Sequence, residues 1–419
     1  MVGQRIRYYR KTKGLTQEEL AQGICSVSYL SKIEKGDAKS SEEVINMLCE
    51  RLGISPEEVD ESKILEMLNE WNMMMVNRQF DEAEATFQEV NENMKGISQP
   101  NLLLRYQLFK ARYYLVQSTP NLSLAKDELN KVNELFEQLP NDLKFYFYTF
   151  NGMYSNYISR YQEALDFFEK ADKQFNQTSN LSDIEAATVY YFLGLTHNYL
   201  LHISSVANYA YKAIGIFDRE YCYSRSADCQ ILLGLSYRRA RNYEKAKYHL
   251  NLALKYSTVF QDKYTSGVIL HNLGYVAACQ NQHYKAIDYL KQSLIYKEDR
   301  GTIHNTAGTL YLLATEYYIV GEIKEAKELI YQGLKIVNSN HEVYYHLKQL
   351  EFQVTGNEKD PEFTKFLSRD SIPFFKEKGI LEHEATHSEL LADIYFEQGQ
   401  YKKASLYYRI ANNARKNIY

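Results

Sequence analysis

Apolar residues along most of this chain recur at helical spacing, and the pattern itself repeats. Residues 226–297 hold two copies of it. The first, LLGLSYRRARNYEKAKYHLNLALKYS, carries Leu233-Gly234, Tyr237, Ala246, Leu250 and Ala253. The second, NLGYVAACQNQHYKAIDYLKQSLIYK, carries Leu273-Gly274, Ala277, Ala286, Leu290 and Ser293, each 40 residues further on. A bulky residue and a glycine on one helix, facing alanine on the next, let two helices approach closely while the large side chain fills the adjoining groove. The pattern predicts a stack of helical hairpins. Its second-helix small residue can be followed through Ala83, Ala125, Ala164, Ala246, Ala286, Ala326 and Ala404, with Val206 standing in at the fourth repeat. Nine repeats result, spaced 39 to 42 residues apart. One of them, residues 342–378, is degenerate, because Gly356, Pro361 and Pro373 break the helical pattern.

Residues 1–60 do not fit this ruler. Their spacing predicts four short helices, over about 4–13, 17–22, 26–35 and 42–52. Thr16 and Glu19 form a capping box, Gly23 ends the second helix, and Leu30 and Ile33 open the next apolar series. Ser41 caps a fourth helix with Val44, Ile45, Leu48 and Leu52 on one face. Two short helices joined by a tight glycine-containing turn read as a helix-turn-helix. The stretch IRYYRKTKGLTQEELAQGICSVSYLSKIEKG resembles the Xre/Cro-type helix-turn-helix family. It matches at Arg10, Gly14 to Gln17, Glu19 to Ala21, Leu30 to Gly36 and the closing Leu52-Gly53. In that geometry the third helix enters the DNA major groove. The resemblance implies that Val27, Ser28, Tyr29 and Lys32 reach base edges or the groove, and that Gln17 and Lys35 contact phosphate.

Charge sharpens this division. The 419-residue chain has a formal net charge of −4, which argues against nucleic-acid binding along its whole length. Residues 1–39, however, carry eight Lys/Arg against four Asp/Glu. The acidic stretch SPEEVDESK, with Pro56, marks a short boundary, giving domains over 1–60 and 61–419. Five scattered cysteines without a CxxC pair read as reduced structural thiols, and no apolar run is long enough for a membrane span. A soluble, cytoplasmic protein is expected.

The hairpins resemble tetratricopeptide (TPR) repeats, with a period longer than the usual ~34 residues. The fold expected is all-α: an Xre/Cro-like helix-turn-helix domain followed by a right-handed TPR superhelix of about nine repeats. The first helix of each hairpin then lines the concave wall. Counted from the large-Gly pairs, the inward positions are Arg105, Arg112, Tyr146, Asn156, Tyr191, Asn198, Asp228, Arg238, His271, Tyr275, Tyr311 and Tyr318, with Asn272 beside them. Rows of Tyr, Asn and Arg suit an extended peptide, with amides for its backbone and rings for its side chains.

An Xre-type module followed by a long-period TPR array resembles the RNPP family of peptide quorum-sensing proteins, in particular its NprR group. That resemblance implies a transcription factor switched by a short imported signalling oligopeptide. It implies a double-stranded DNA operator, a homo-oligomer whose assembly changes with peptide, and a response regulator of the sporulation phosphorelay as a further partner. Asparagines on concave helices fix the peptide backbone in the family. This points first to Asn272 and then to Asn156 and Asn198, expected at equivalent positions of other repeats.

One motif belongs to a different class. His383-Glu384-Ala385-Thr386-His387 is a literal HExxH, the spacing of a zinc-dependent hydrolase. No third ligand follows at a familiar spacing, and Leu390 stands where a longer zinc motif needs glycine. Neither a metal nor any other cofactor is therefore expected, and these side chains are expected on the surface of the last repeat. No phosphate loop, nucleophile elbow or paired-carboxylate signature is present, so no catalytic residue is assigned. Two rivals remain: a phosphorelay inhibitor that needs no operator, and a repressor whose repeats bind protein and need no peptide.

Overall fold

The computed structural model describes residues 2–37, 40–54, 61–95, 97, 99–117, 119–297 and 303–417. These fall into two compact units, one of residues 1–200 with 211–225, the other of residues 201–210 with 226–419. No strand occurs among the described residues. The acidic boundary around Pro56 lies outside them.

Helices α1 (Val2–Thr12), α2 (Gln17–Ala21), α3 (Val27–Lys35) and α4 (Glu42–Leu52) open the first unit. Each begins and ends where its capping residues dictate. Thr16 and Glu19 form the capping box, and the Ser26 and Ser41 hydroxyls accept from Tyr29 and Val44 backbone N–H groups. Left-handed Gly36 and Gly53 close α3 and α4. Ile6, Leu20, Leu30, Ile33, Leu48 and Leu52 meet in one core. Helix α1 crosses α3 so closely that a β-carbon on Gly3 would sit 1.9 Å from the Ile33 carbonyl oxygen, so only glycine fits there.

Eighteen segments, paired into nine hairpins, follow among the described residues. The first three hairpins are α5 (Glu61–Val76) with α6 (Phe80–Asn93), α7 (Pro100–Val116) with α8 (Leu122–Asn133), and α9 (Asn141–Tyr157) with α10 (Tyr161–Phe175). Then come α11 (Asp183–Tyr199) with α12 (Ile203–Arg219), α13 (Tyr223–Arg239) with α14 (Tyr243–Val259), α15 (Lys263–Cys279) with α16 (His283–Lys297), and α17 (Ile303–Ile319) with α18 (Ile323–Ile336). In the eighth, α19 (Glu342–Thr355) faces a broken helix: α20 (Pro361–Phe366), a π-helical turn (Leu367–Ser371) and α21 (Ile372–Glu377). Helices α22 (Leu381–Glu397) and α23 (Tyr401–Lys416) form the ninth.

The long period comes from long helices, not long turns. From α11 to α15 each helix has 17 residues. The three-residue turns between them carry a left-handed residue at Leu201, Tyr221, Arg241, Gln261 and Asn281, every 20 residues. The turns at Tyr221, Arg241, Gln261 and Asn281 close their helices by a Schellman pattern: Arg241 N–H donates to Arg238 O and Asn242 N–H to Tyr237 O, both at 2.9 Å. Within hairpins the glycine seam does what its spacing predicts. A β-carbon on Gly234 would lie 2.6 Å from Leu250 Cγ, and one on Gly274 would lie 2.7 Å from Leu290 Cγ. Every second-helix residue on the ruler, from Ala83 to Ala404 and including Val206, is buried.

Candidate functional site

The N-terminal module presents one polar face. Ser28, Lys32 and Lys35 are exposed along α3, and Val27 is 43% exposed at its start. Tyr29 is half-buried, its ring packed against the module's core. Behind α3, Glu34 is buried and clasped by Arg10, whose Nε lies 2.6 Å from Oε1 and whose Nη2 lies 3.0 Å from Oε2. Gln17 joins this pair: its Nε2 donates to Glu34 Oε2 at 2.7 Å. One of the two Gln17 amide N–H donors is thus held by Glu34, where it helps satisfy a buried carboxylate and fixes α2 against α3.

Of the thirteen residues expected to line a peptide groove, Arg105, Arg112, Tyr146, Asn156, Tyr191 and Asn198 belong to the first unit and the other seven to the second. In the first unit the expected lining is largely internal. Arg112 is 4% exposed, donates from Nη1 to Asn72 Oδ1 at 2.9 Å and lies over the Phe150 ring. Burial, and then the charge of Arg225, pull its guanidinium down to about 9. This is a packing arginine that ties α7 to α5. Tyr146 is buried and donates to the Glu185 carboxylate, and Arg105 pairs with Asp142. Asn156 donates to Thr196 Oγ1 at 3.0 Å, Asn198 is buried, and the Arg225 guanidinium lies 4.6 Å above the Tyr191 ring.

In the second unit several members meet. The Arg238 guanidinium sits 4.1 Å above the ring of Tyr275, bridging α13 and α15. On the same helix as Tyr275, His271 Nδ1 lies 3.0 Å from Thr309 Oγ1 of α17. Tyr311 of α17 stacks on His346 of α19 at 5.3 Å. Burial raises the hydroxyl pKa values of both Tyr275 and Tyr311 above the usual range, keeping them neutral hydrogen-bonding groups. Arg238, His271, Tyr275, Tyr311, Tyr318 and Asp228 are all half-buried, with one side still open. A strip of cation, rings and imidazoles over consecutive first helices can grip the backbone and side chains of an extended chain.

Asn272 departs from expectation in two ways. It is 6% exposed, and its Nδ2 donates to the Val268 carbonyl at 2.9 Å, one turn earlier on its own helix. Nor are Asn156 and Asn198 its counterparts. Both are the next-to-last residues of their helices, as Arg238 and Tyr318 are of theirs, whereas Asn272 lies two turns before the end of α15. The sequence carries this signal, since Asn156 and Asn198 follow their glycines by four residues while Asn272 precedes Gly274 by two. His346 and Thr309 extend the strip but had no motif to announce them.

Two of the HExxH side chains are not on the surface, while His383 is half-buried and Thr386 exposed. His387 and Glu384 are buried, and His387 Nδ1 lies 2.7 Å from Ser371 Oγ while its Nε2 lies 3.2 Å from His346 Nδ1. Among the described residues no group of three or more His, Cys, Asp or Glu is arranged to hold a metal ion.

A DNA-reading helix carried on an array of helical hairpins defines the class: a helix-turn-helix transcription regulator with a repeat-built sensor. The helix-turn-helix family model matches residues 6–59, and that for the N-terminal part of response regulator aspartate phosphatase H matches residues 58–118. The chain is 30% identical to the transcriptional activator NprA of Geobacillus stearothermophilus over 407 residues, covering 95% of this chain and 99% of that protein. It is 25% identical to the regulatory protein RapD of Bacillus subtilis, covering 72% of this chain and 85% of RapD. In fold it is similar to the apo form of the quorum sensor NprR from B. thuringiensis (TM-score 0.71, 20% identity, 85% of this chain and 99% of that one). A Rap protein complexed with Competence and Sporulation Factor is similar to the same degree (TM-score 0.72, 20% identity, 85% and 98%). The chain belongs to the RNPP family of peptide-responsive regulators. Among the described residues no helix is long and apolar enough to cross a membrane.

Proposed function

We propose that this protein is a cytoplasmic, non-enzymatic transcription regulator that binds a short signalling oligopeptide on the second unit's strip and changes its DNA binding and oligomeric state in response. The observation that carries this reading is the half-open run Arg238–Tyr275 and Tyr311–His346 on successive first helices. Arg238 takes a peptide carbonyl or carboxylate, Tyr275 and Tyr311 take apolar side chains, and Asp228 takes a basic group. His271 and Tyr318 flank them, and Asn272 contributes its side-chain carbonyl, its N–H being held by Val268. Val27, Ser28 and Lys32 meet base edges, with Tyr29 supporting them, and Lys35 meets phosphate. A peptide shifts such an equilibrium only by its differential affinity for two states, so it must bind the DNA-competent assembly more tightly.

The test is fluorescence anisotropy with labelled synthetic oligopeptides, paired with light scattering of the same mixtures. Arg238→Ala and Tyr275→Ala are each expected to weaken peptide binding about 10-fold, the order of one desolvated cation–π contact plus its ring. Unchanged affinity in both variants would put the peptide elsewhere. A second activity is favoured by the match of residues 58–118 to a phosphatase N-terminal region and by relatives named response regulator aspartate phosphatases. In that reading the peptide-free protein binds a response regulator without catalysis. Its check is binding of a purified response regulator with and without peptide.

A further inference from the structure

The DNA-reading module is not merely tethered to the repeats, for its first helix is docked on them. Tyr9 Oη donates to the backbone carbonyl of Ile97 at 3.0 Å, just before α7. Tyr8 beside it is buried, with the Gln107 side chain of α7 and the Glu128 carboxylate of α8 among the groups around its hydroxyl. Glu128 is itself held by Lys110 at 2.9 Å and Lys131 at 3.0 Å, so this wall is fixed by charge pairs. The two tyrosine rings meet edge to face at 5.2 Å and form one wedge. Tyr9 also packs against the module's own core of Ile6, Leu20 and Leu30, so it touches both sides of the contact, whereas Tyr8 is not part of that core. The wedge is on α1, and the exposed α3 residues Val27, Ser28 and Lys32 take no part in these contacts.

We propose that Tyr8 and Tyr9 are a latch that fixes the helix-turn-helix module to the first repeats, and so sets the spacing at which two recognition helices of an oligomer are presented to DNA. A docked module reads two half-sites only at the separation its docking imposes, whereas a free one on a short linker reads them at several. The proposal rests on the DNA-binding reading for its consequence, but the docking itself is tested without DNA.

Two variants of the full chain break the latch from opposite sides. Tyr9→Phe removes the hydroxyl from the module side, and Gln107→Ala removes the amide from the repeat side while leaving the module's sequence intact. Amide relaxation by nuclear magnetic resonance reports tumbling of residues 2–54. Docked, these resonances relax with the whole chain, and in the double variant they sharpen to those of a small independent module. Sharp module resonances in the wild type, or none sharpening in the double variant, would overturn the latch. For the consequence, duplexes selected from a random library by the wild-type chain are compared with versions whose half-sites are moved apart by half a helical turn. The wild type is expected to lose at least about 10-fold in affinity on the respaced duplex and the double variant less than about 3-fold, with single half-site binding alike in both. Equal losses would overturn the spacing role. Failure to select any duplex would overturn that role through the DNA-binding reading, while leaving the docking result standing.

Discussion

The regular hairpins α13–α16 and the interrupted one formed by α19, α20 and α21 solve the same packing problem by different means. In the regular pair two helices touch at backbone distance, with Gly234 under Leu250 and Gly274 under Leu290, and beside the seam the buried His249 Nδ1 meets Gln230 Oε1 at 2.7 Å. In the interrupted one the second helix is broken at a π-helical turn beside Pro373. The gap is filled by side chains: Phe363, Leu367 and Phe375 are fully buried, with His346 stacked on Phe375 at 5.4 Å. Contact at backbone distance does not itself depend on charge. A seam built from imidazoles depends on their charge.

The largest effect expected is at the glycine seam. Gly234→Ala puts a methyl 2.6 Å from Leu250 Cγ and 3.4 Å from the Ala246 carbonyl, so one helix must shift. Overpacking of this kind costs about 2 kcal/mol even after the gain in helix propensity, read as a lower urea midpoint. Adding Leu250→Ala should relieve the clash, making the pair strongly non-additive. In the interrupted hairpin the matching probe is Gly356→Ala. Nothing lies within 4 Å of a β-carbon there, but the backbone is left-handed at φ +72°. The expected cost is about 1 kcal/mol and no neighbouring truncation should rescue it.

Next comes pH. His387 is 1% exposed, and burial with the charge of nearby His383 pulls its pKa down to about 3; burial and both neighbouring histidines pull His346 down to about 2. Burial sets the direction for both, and the 3.2 Å contact between them fits the neutral forms, because two charged rings would turn N–H against N–H. The folded chain therefore favours the neutral forms. Their stabilisation is complete above the ordinary value of about 6.5 and is lost as pH falls below it, continuing toward 3. His387 alone should cost about 1 kcal/mol between pH 6.5 and 5.5. A thermal melt series from pH 7.5 to 5 should show a falling midpoint whose slope is shallower in His387→Gln. An unchanged slope would place the pH dependence elsewhere, for instance at His249, whose pKa burial also lowers.

This contrast also explains what could be read from the sequence. A seam made by Gly234 and Ala246 repeats every 40 residues, because each hairpin must solve the same geometry, and repetition makes it visible. The four short helices of the first module were visible through their caps, Thr16, Ser26, Ser41, Gly36 and Gly53. The site residues were harder for a physical reason. The bond from the Gln17 amide to Glu34 depends on the closeness of α2 to α3, which no spacing along the chain announces. The histidine cluster joins His346 to a motif about 40 residues away across a broken helix that occurs once, so no repetition reveals it. Arg112 matched the inward register, but its partner Asn72 lies on a helix whose packing a register count does not include.

The smallest effect concerns the turns, where the two regions can be exchanged. Arg241 sits left-handed at φ 57° in a regular turn, exposed, with its N–H given to the Arg238 carbonyl. Gly321 fills the same slot at φ 86° two hairpins on, and Gly356 does so at the end of α19. A left-handed arginine costs about 1 kcal/mol relative to glycine, while glycine also loosens the unfolded chain by about half of that. Arg241→Gly should therefore stabilise by about 0.5 kcal/mol, seen as a small rise in the urea midpoint with unchanged slope. Gly356→Arg should move the midpoint the other way by a similar or larger amount. If Arg241→Gly instead destabilised, the arginine side chain would have to be holding its turn through its stem, and regular and interrupted hairpins would differ in their turns as well as in their seams.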